Sequence, residues 1–295
     1  MSGPTLQTGT EIEQKAGSWS HGVLLALVIA LILAALYSSI VRALVSQWWD
    51  DANYSHGFVV PLFSGFLIWR QRAQLRALAP LGSTLGLPVL LGGIGLRVLG
   101  DLGAENFLMR SSLIVILAGL VLFHLGPRVF RIVIFPVAFL LFMIPLPAVV
   151  FYAVTFPLQQ MAAEQAAWVL DVLGVPVLLD GNVIHLSQIS LGVTEACSGI
   201  RSLISLLAAA VAGAYLLIPS GWAMVVFVAS AVPITILANA GRVVSTGLIG
   251  QWFGVEYAAG FFHEVAGLVV YLVALACLAG VYSLIRLTGR TRSTV

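Results

Sequence analysis

Residues 22–37 read GVLLALVIALILAALY, within a longer stretch from residue 16 to residue 41 that contains no Asp, Glu, Lys or Arg. A helix that crosses the hydrocarbon core of a bilayer needs about 20 mostly apolar residues, so this run predicts a transmembrane helix over about 22–45. The segment before it has acidic residues, no basic n-region and no small-residue cleavage site. We therefore interpret the run as a retained membrane helix and not as a signal peptide.

The composition of the whole chain supports the same class of protein. Of its 295 residues, 60% are hydrophobic and 9% are charged, with a mean hydropathy of +1.05. Soluble domains carry about 25% charged residues, so this chain has too few charges to cover a water-exposed surface. The net charge of +2 is too small to favour a nucleic-acid partner. Its two cysteines, Cys197 and Cys277, are too few for a disulfide framework.

The remaining apolar runs extend the prediction to an all-α polytopic membrane protein with about eight transmembrane helices. The predicted spans are about 22–45, 57–69, 82–99, 107–125, 132–150, 199–217, 223–245 and 264–285. Many of the runs are interrupted by glycine, which permits close packing between membrane helices.

The Lys and Arg residues predict the orientation, because short cytoplasmic loops carry an excess of them. With eight spans, nine of the fourteen basic residues fall on one side. They are Lys15, Arg70, Arg72, Arg76, Arg128, Arg131, Arg286, Arg290 and Arg292. Both termini are therefore predicted to lie in the cytoplasm.

The longest stretch outside the predicted spans, about 151–197, falls on the extracytoplasmic side. Its first half, Pro157 to Leu173, mixes polar and apolar residues in the manner of an amphipathic interfacial helix. Its second half predicts a β-hairpin that turns at Asp180-Gly181. Because no long linker or repeat interrupts the chain, we expect residues 1–295 to form a single domain that carries this insert.

Three polar residues lie where successive predicted helices meet the extracytoplasmic face: Cys197, Arg242 and His263. A neighbouring cation raises the thiolate fraction of a cysteine, a histidine can carry a proton from a thiol to a leaving amine, and an arginine can stabilise an oxyanion. Each residue type also has a structural interpretation: a small core residue, an interfacial imidazole, or a guanidinium that reaches the lipid headgroups. Their common side makes the three a candidate catalytic set.

Other polar residues near this set are candidates for supporting roles. Arg201 lies four residues after Cys197, where it either aids a thiolate or pairs with Glu195 or with lipid headgroups. Glu195 alternatively orders the cysteine loop. Asn239 lies three residues before Arg242 and can hold it by a hydrogen bond.

Two residues of an outer loop, Tyr54 and His56, either contact a substrate or anchor the loop at the membrane interface beside Trp48 and Trp49. The histidines are scattered, and neither His-Glu-x-x-His nor Cys-x-x-Cys occurs. We therefore predict no metal and no other cofactor.

Six short motifs are spread over most of the chain and include the candidate set. They are Asn53-Tyr54-Ser55-His56-Gly57, Ile144-Pro145-Leu146-Pro147, Gly174-Val175-Pro176-Val177, Glu195-Ala196-Cys197-Ser198-Gly199-Ile200-Arg201, Ala238-Asn239-Ala240-Gly241-Arg242-Val243 and His263-Glu264-Val265-Ala266-Gly267. Together they resemble the exosortase/archaeosortase family of membrane cysteine transpeptidases. The resemblance implies that Cys197 is the nucleophile and that Arg242 and His263 complete the catalytic set.

The resemblance also implies partners and a location. Members of this family process exported proteins that end in a short motif such as Pro-Glu-Pro, a transmembrane helix and a basic tail (PEP-CTERM-like signals). They cleave near the motif and pass the new C-terminus to a surface acceptor, which a glycan or a lipid would supply. This work is done in the bacterial cytoplasmic membrane, with the active site facing the exterior.

Two other classes of function remain open. One is a transporter or channel, although no inverted repeat is visible and the polar set lies at one face. The other is an assembly factor for surface exopolysaccharide with no catalysis of its own.

Overall fold

The computed structural model of the chain describes residues 8–194, 198–219, 221–254 and 261–288, with the side chains of 8–23 and 261–264 outside the description. Within these ranges the backbone forms nine α-helices, two 3-10 helices (η1 and η2) and one three-stranded sheet. In chain order the elements are α1 Thr8–Asp50, η1 Ala52–Phe58, α2 Val59–Arg70, α3 Arg72–Ala77, α4 Gly86–Leu102, α5 Asn106–Phe139, η2 Leu140–Met143, α6 Ala148–Val172, β1 Val177–Asp180, β2 Val183–Leu186, β3 Ser190–Gly192, α7 Ile200–Leu217, α8 Trp222–Phe253 and α9 Phe261–Leu287.

Five helical segments of the described residues are long and apolar enough to cross a membrane. They are Leu24–Asp50, Asn106–Met143, Ile200–Leu217, Trp222–Phe253 and Val265–Leu287. The prediction of a mostly helical membrane protein with several spans is confirmed at this level, whereas the count of eight is not. Two predicted spans fall on short helices: α2 has 12 residues and α4 has 17. At 1.5 Å per residue these are about 18 and 26 Å long, against about 30 Å of hydrocarbon.

The helix α5 covers one predicted span, 107–125, and the start of the next, 132–150. Its backbone is interrupted at Gly126, where φ is +83° and ψ is 177°. A Cβ at this position would overlap the carbonyl group of Leu81, so a glycine is required there. The predicted boundary at residue 150 is wrong, because the helix ends at Phe139 and continues only as η2. Prolines follow directly in Ile144-Pro145-Leu146-Pro147, and a proline disfavours helix at the residue before it.

The chain divides into two compact units. The first consists of Met1–Asp50 and Ser64–Leu141, and the second of Asp51–Phe63 and Phe142–Val295. This division does not test the expected single domain, which stays a prediction.

In the first unit, three glycines spaced by seven residues bring α4 into close contact with α5. Gly86, Gly93 and Gly100 are buried, and a Cβ on Gly93 would lie 2.6 Å from Cγ1 of Ile116. Small residues at such a seam let two helix backbones approach closely where van der Waals packing is the main attraction. Polar contacts connect α1 to α5, with the Tyr37 and Ser112 hydroxyl groups 2.7 Å apart.

In the second unit, α7, α8 and α9 pack around a core of small and aromatic side chains. Ala210, Ala231 and Ala274 are completely buried there, beside Phe227. A second core joins the C-terminal half of α8 to the insert, through Ala163 and Leu170 of α6, Ile184 of β2 and Val243 of α8. The helix α8 therefore extends to Phe253, eight residues beyond the predicted end at 245.

The predicted hairpin is confirmed as β1 and β2, which pair antiparallel with Asp180 opposite Val183. The turn lies one residue later than expected, at Gly181-Asn182, and Gly181 has a φ of +58°. A third strand, β3, was not predicted. The Asn182 backbone and side chain hold its end by two hydrogen bonds with Val193, of 2.8 and 2.9 Å. The helix predicted from Pro157 is also present, and it begins earlier, at Ala148.

Candidate functional site

A cavity of about 510 Å³ lies in the second unit between η1 and the helices α7, α8 and α9. Its polar lining is provided by Ser55, His56, Arg201, Ser202, Ser205, Arg242 and Tyr271. Two guanidinium groups therefore face one cavity, and no Asp or Glu is among the described residues that line it. An excess of positive charge in a concave, partly apolar site favours an anionic ligand or an anionic reaction intermediate.

The start of α7 forms one wall of the cavity and is tightly constrained. Gly199 precedes the helix with a φ of +83°, and a Cβ built on it would lie 3.0 Å from Cγ of Asn239. The buried Ser198 accepts a 3.2 Å hydrogen bond at its Oγ from the Ile200 N–H. Asn239, which is also buried, thus lies against the glycine two residues after Cys197. The predicted hydrogen bond between Asn239 and Arg242 stays a prediction.

Arg242 projects from α8 into the cavity, whereas the next two residues, Val243 and Val244, are buried against the insert. Its Nη1 atom lies 3.6 Å from the position that a Cβ on Gly267 would take. The absence of a side chain at Gly267 leaves α9 open on this side, so the guanidinium can lie beside the α9 backbone. Gly267 belongs to the motif that begins at His263.

Arg201 lies in the first turn of α7 with an exposed side chain. Its Nε–H donates a long hydrogen bond of 3.5 Å to Oδ1 of Asn53, in η1. Asn53 itself is buried and its backbone N–H donates to Oδ1 of Asp51, at 2.9 Å. The loop of η1 is therefore folded against α7, which gives Arg201 a neutral polar partner.

His56 and Tyr54 occupy different sides of η1. His56 lines the cavity and donates from Nε2 to the Phe142 carbonyl at 3.1 Å. Burial lowers the pKa of His56 below its usual value, and hydrogen bonds with the Phe142 and Asn53 backbone partly oppose this. The imidazole is therefore neutral at neutral pH. Tyr54 is 5% exposed and packs between His56 and Phe151, with ring centroids 6.4 and 6.3 Å away, so it supports the loop from behind.

Three of the predicted site residues cannot be placed in this geometry. Cys197 and Glu195 lie outside the described residues, and His263 belongs to α9 with its side chain outside the description. The structure thus brings together Arg201, Arg242 and His56 around the cavity, with Asn239 behind its wall.

Four hydroxyl residues of the lining were missed by the sequence reasoning: Ser55, Ser202, Ser205 and Tyr271. A signal for two of them was available, because residues four apart lie on one helix face. Ser205 follows Arg201 by four residues, and Tyr271 follows Gly267 by four. The contact of η1 with α7 had no such signal, since Asn53 and Arg201 are 148 residues apart.

Among the side chains that the structure describes, no three His, Cys, Asp or Glu residues lie close enough to hold an ion. The expectation that the protein uses no metal or other cofactor stays a prediction.

Comparison with known proteins gives one match. Residues 48–280 match the family described as Transmembrane exosortase (Exosortase_EpsH). The matched range contains the cavity lining and all six motifs, and it confirms the resemblance noted from the sequence. No curated protein and no solved structure matches the chain.

Proposed function

Because the chain belongs to the transmembrane exosortase family, we propose that it is a membrane-embedded cysteine transpeptidase or protease that cleaves C-terminal sorting signals of exported proteins. The proposed substrate carries a PEP-like motif, a transmembrane helix and a basic tail. The new C-terminus passes to a surface glycan or lipid, or to water. The observation that carries the proposal is the cavity that places Arg242 and Arg201 beside Gly199, two residues from the only cysteine in a family motif.

Cys197 is the proposed nucleophile, for which the surroundings of α7 are suitable. The helix begins at Ile200. The cavity beside its first turn is lined by the guanidinium groups of Arg201, which belongs to that turn, and of Arg242. Helix N-termini and neighbouring cations both lower the pKa of a thiol and so raise its reactive thiolate fraction.

His263 is the proposed proton carrier. It lies in the first turn of α9, four residues before Gly267, and Nη1 of Arg242 lies next to Gly267. Positions four apart are neighbours on a helix surface, so His263 lies one helical turn from Gly267, the residue beside Arg242.

The proposed reaction has two steps. His263 takes the proton of the Cys197 thiol, the thiolate attacks the carbonyl carbon of the scissile peptide bond, and Arg242 stabilises the oxyanion that forms. The C–N bond then breaks, the amine leaves with a proton from His263, and the substrate remains attached as a thioester. An acceptor amine, hydroxyl or water next gives its proton to His263 and attacks the thioester, which releases the product and the thiolate.

The proposed location is the bacterial cytoplasmic membrane, with both termini in the cytoplasm and the cavity facing the exterior. The start of α7 and the first part of α9 line one cavity, and this supports a site at a single membrane face. A substrate helix in the same membrane would deliver its motif to that level. The eight-span topology belongs to this proposal.

The two separate cysteines of the chain, Cys197 and Cys277, provide the test and its control. Cys197→Ala should leave a sorting-signal substrate uncut in the membrane, when full-length and processed forms are separated by electrophoresis. Cys277→Ala, at an exposed position of α9, should process it normally and serves as the matched control. Normal processing by the Cys197→Ala variant would overturn the assignment. Solute uptake that depends on the protein but not on Cys197 would favour a transporter, and exopolysaccharide export independent of Cys197 would favour an assembly factor.

A further inference from the structure

The cavity contains more positive charge than the proposed chemistry needs. One guanidinium is sufficient to stabilise one oxyanion, and Arg242 has that role in the proposed reaction. Arg201 lines the same cavity of about 510 Å³, and the described lining has no carboxylate to compensate it. An anionic group of a ligand would be attracted to the Arg201 guanidinium.

The hydrogen bonding of Arg201 leaves its charged fork open to the cavity. Among the described residues, its guanidinium makes one hydrogen bond, from Nε to Oδ1 of Asn53 at 3.5 Å. This contact orients the planar group and leaves the two Nη atoms for a ligand. A guanidinium binds a carboxylate best through two parallel hydrogen bonds.

The surroundings of Arg201 are suited to a peptide. Ser55 of η1 and Ser202 and Ser205 of α7 line the same cavity, and their hydroxyl groups can form hydrogen bonds with a peptide backbone. The Ser205 hydroxyl donates to the Arg201 carbonyl at 2.7 Å, which fixes the orientation of this hydroxyl beside Arg201. Apolar lining from Val59 and Leu268 completes a site of mixed polarity.

The distance along the chain limits where the anionic group can be. Arg201 follows the proposed nucleophile by four residues, and four residues span at most about 14 Å. An extended peptide covers that distance in about four residues. The ligand group is therefore close to the bond that Cys197 attacks.

We propose that Arg201 is a specificity-determining residue that binds a carboxylate side chain of the substrate peptide, within about four residues of the cleaved bond. The proposal rests on the proposed function of this site. It assigns recognition to Arg201 and leaves the chemistry to Arg242.

The test is a double-mutant cycle on the full-length enzyme in membranes. Two sorting-signal substrates are compared, one with Glu near the cleavage site and one with Gln at that position. With the wild-type enzyme, the Glu substrate should have a kcat/KM about tenfold or more above that of the Gln substrate, as expected for a charge-assisted pair. With Arg201→Gln, the two substrates should differ by no more than about twofold, whatever loss of rate the two substrates share.

The controls separate recognition from folding. Arg131→Gln removes an exposed arginine of the first unit and should keep the full preference for Glu. Arg201→Lys keeps the charge without the fork and should retain part of it. Cleavage of the Gln substrate by Arg201→Gln shows that this variant is folded. If Arg201→Gln cleaves neither substrate, Arg201→Lys takes its place in the comparison.

Three outcomes would overturn the proposal. Equal losses for both substrates in Arg201→Gln, or an unchanged preference for Glu, would exclude a carboxylate contact. Normal cleavage of both substrates with slower transfer to the acceptor would assign Arg201 to an acceptor phosphate instead. If the wild-type enzyme cleaves neither substrate, the proposed function fails together with this inference. If the wild type and Arg201→Gln both cleave the substrates with the same preference for Glu, the cycle is additive and only this inference fails.

Discussion

Gly199 joins the motif of the proposed nucleophile to α7, and two constraints act on it at once. Its φ of +83° lies in the left-handed region, which costs a residue with a Cβ about 1–2 kcal/mol. A Cβ there would also lie 3.0 Å from Cγ and 3.1 Å from Cβ of the buried Asn239. A side chain at this position must therefore strain the backbone and displace a neighbouring helix side chain.

Gly199→Ala should consequently lower signal processing by about tenfold or more, because small displacements at a reacting centre are costly. The matched control is Gly174→Ala, at a glycine with a φ of +78° and no atom within 4 Å of the added Cβ. Both variants carry the backbone cost, but only Gly199→Ala also disturbs Asn239. Processing rates and thermal unfolding in detergent would be measured for both, and equal effects of the two changes would argue against a role for the Asn239 contact.

The second residue-scale prediction concerns His56 and pH. Burial lowers the pKa of His56 in the folded protein below its usual value of 6.5, so the unfolded chain binds this proton more tightly. Stability should therefore be full above about pH 6.5 and should fall as the pH drops below that value. His56→Gln keeps an N–H donor for the Phe142 carbonyl and removes the titration.

The midpoint of thermal unfolding in detergent would be measured from pH 7.5 to pH 5 for the wild type and for His56→Gln. The wild type should lose more stability on acidification than the variant. His185→Gln serves as the control, because His185 pairs with Ser190 at an exposed position of the sheet. Parallel curves for the wild type and His56→Gln would contradict the prediction.

At the scale of elements, local sequence signals predicted some features and missed others for identifiable reasons. The hairpin was predictable because a Gly-containing turn lies between two β-branched runs. The third strand was not, since it depends on Asn182 meeting Val193 across the folded sheet. The extension of α8 to Phe253 was also missed, because the insert covers that part of the helix and hydropathy does not indicate which protein segment will do so.

Two adjacent glycines of α4 differ in their surroundings and give the third prediction. A Cβ on Gly93 would lie 2.6 Å from Cγ1 and 3.1 Å from the backbone N of Ile116, whereas one on Gly92 would have no atom within 4 Å. Gly93→Ala should destabilise the first unit by about 1–3 kcal/mol, the usual cost of overpacking. Gly92→Ala should be neutral or slightly stabilising, because alanine favours helix.

Thermal unfolding of the two single variants in the same detergent decides this point. The two variants add the same methyl group to adjacent positions of one helix, so the comparison isolates the contact that only Gly93 makes with Ile116. A loss of stability in Gly92→Ala as large as that in Gly93→Ala would contradict the role of the close approach of α4 to α5, because helix propensity alone favours alanine at both positions.

At the scale of the whole molecule, the candidate site depends on distant parts of the second unit. The motifs indicated which residues to consider, and the order of the helices predicted a common side for Cys197, Arg242 and His263. The position of η1 against α7 did not, because Asn53 and Arg201 are 148 residues apart and their contact depends on folding. That Arg201 and Arg242 line one cavity with η1 therefore became visible only in three dimensions.

The number of spans is the last property to predict, and the break in α5 is the reason to expect eight. Gly126 interrupts the helix, Pro127 can start a new one, and Arg128 and Arg131 follow directly. Basic residues at such a break are typical of a cytoplasmic turn, so we expect α5 to cross the membrane twice and α4 to cross once.

Leu102 and Ser187, both exposed, distinguish this topology from one in which Asn106–Met143 crosses once. With eight spans, two crossings separate residues 102 and 187, so both lie outside. The exposed Gln74, which precedes α4 in the chain, lies inside. With a single crossing in this region, residues 102 and 187 lie on opposite sides. In a background with Cys197→Ala and Cys277→Ala, a membrane-impermeant maleimide should label Leu102→Cys and Ser187→Cys in intact spheroplasts, and Gln74→Cys only after lysis. Labelling of only one of residues 102 and 187 would exclude eight spans. Which of the two reacts would then show the orientation of the cavity.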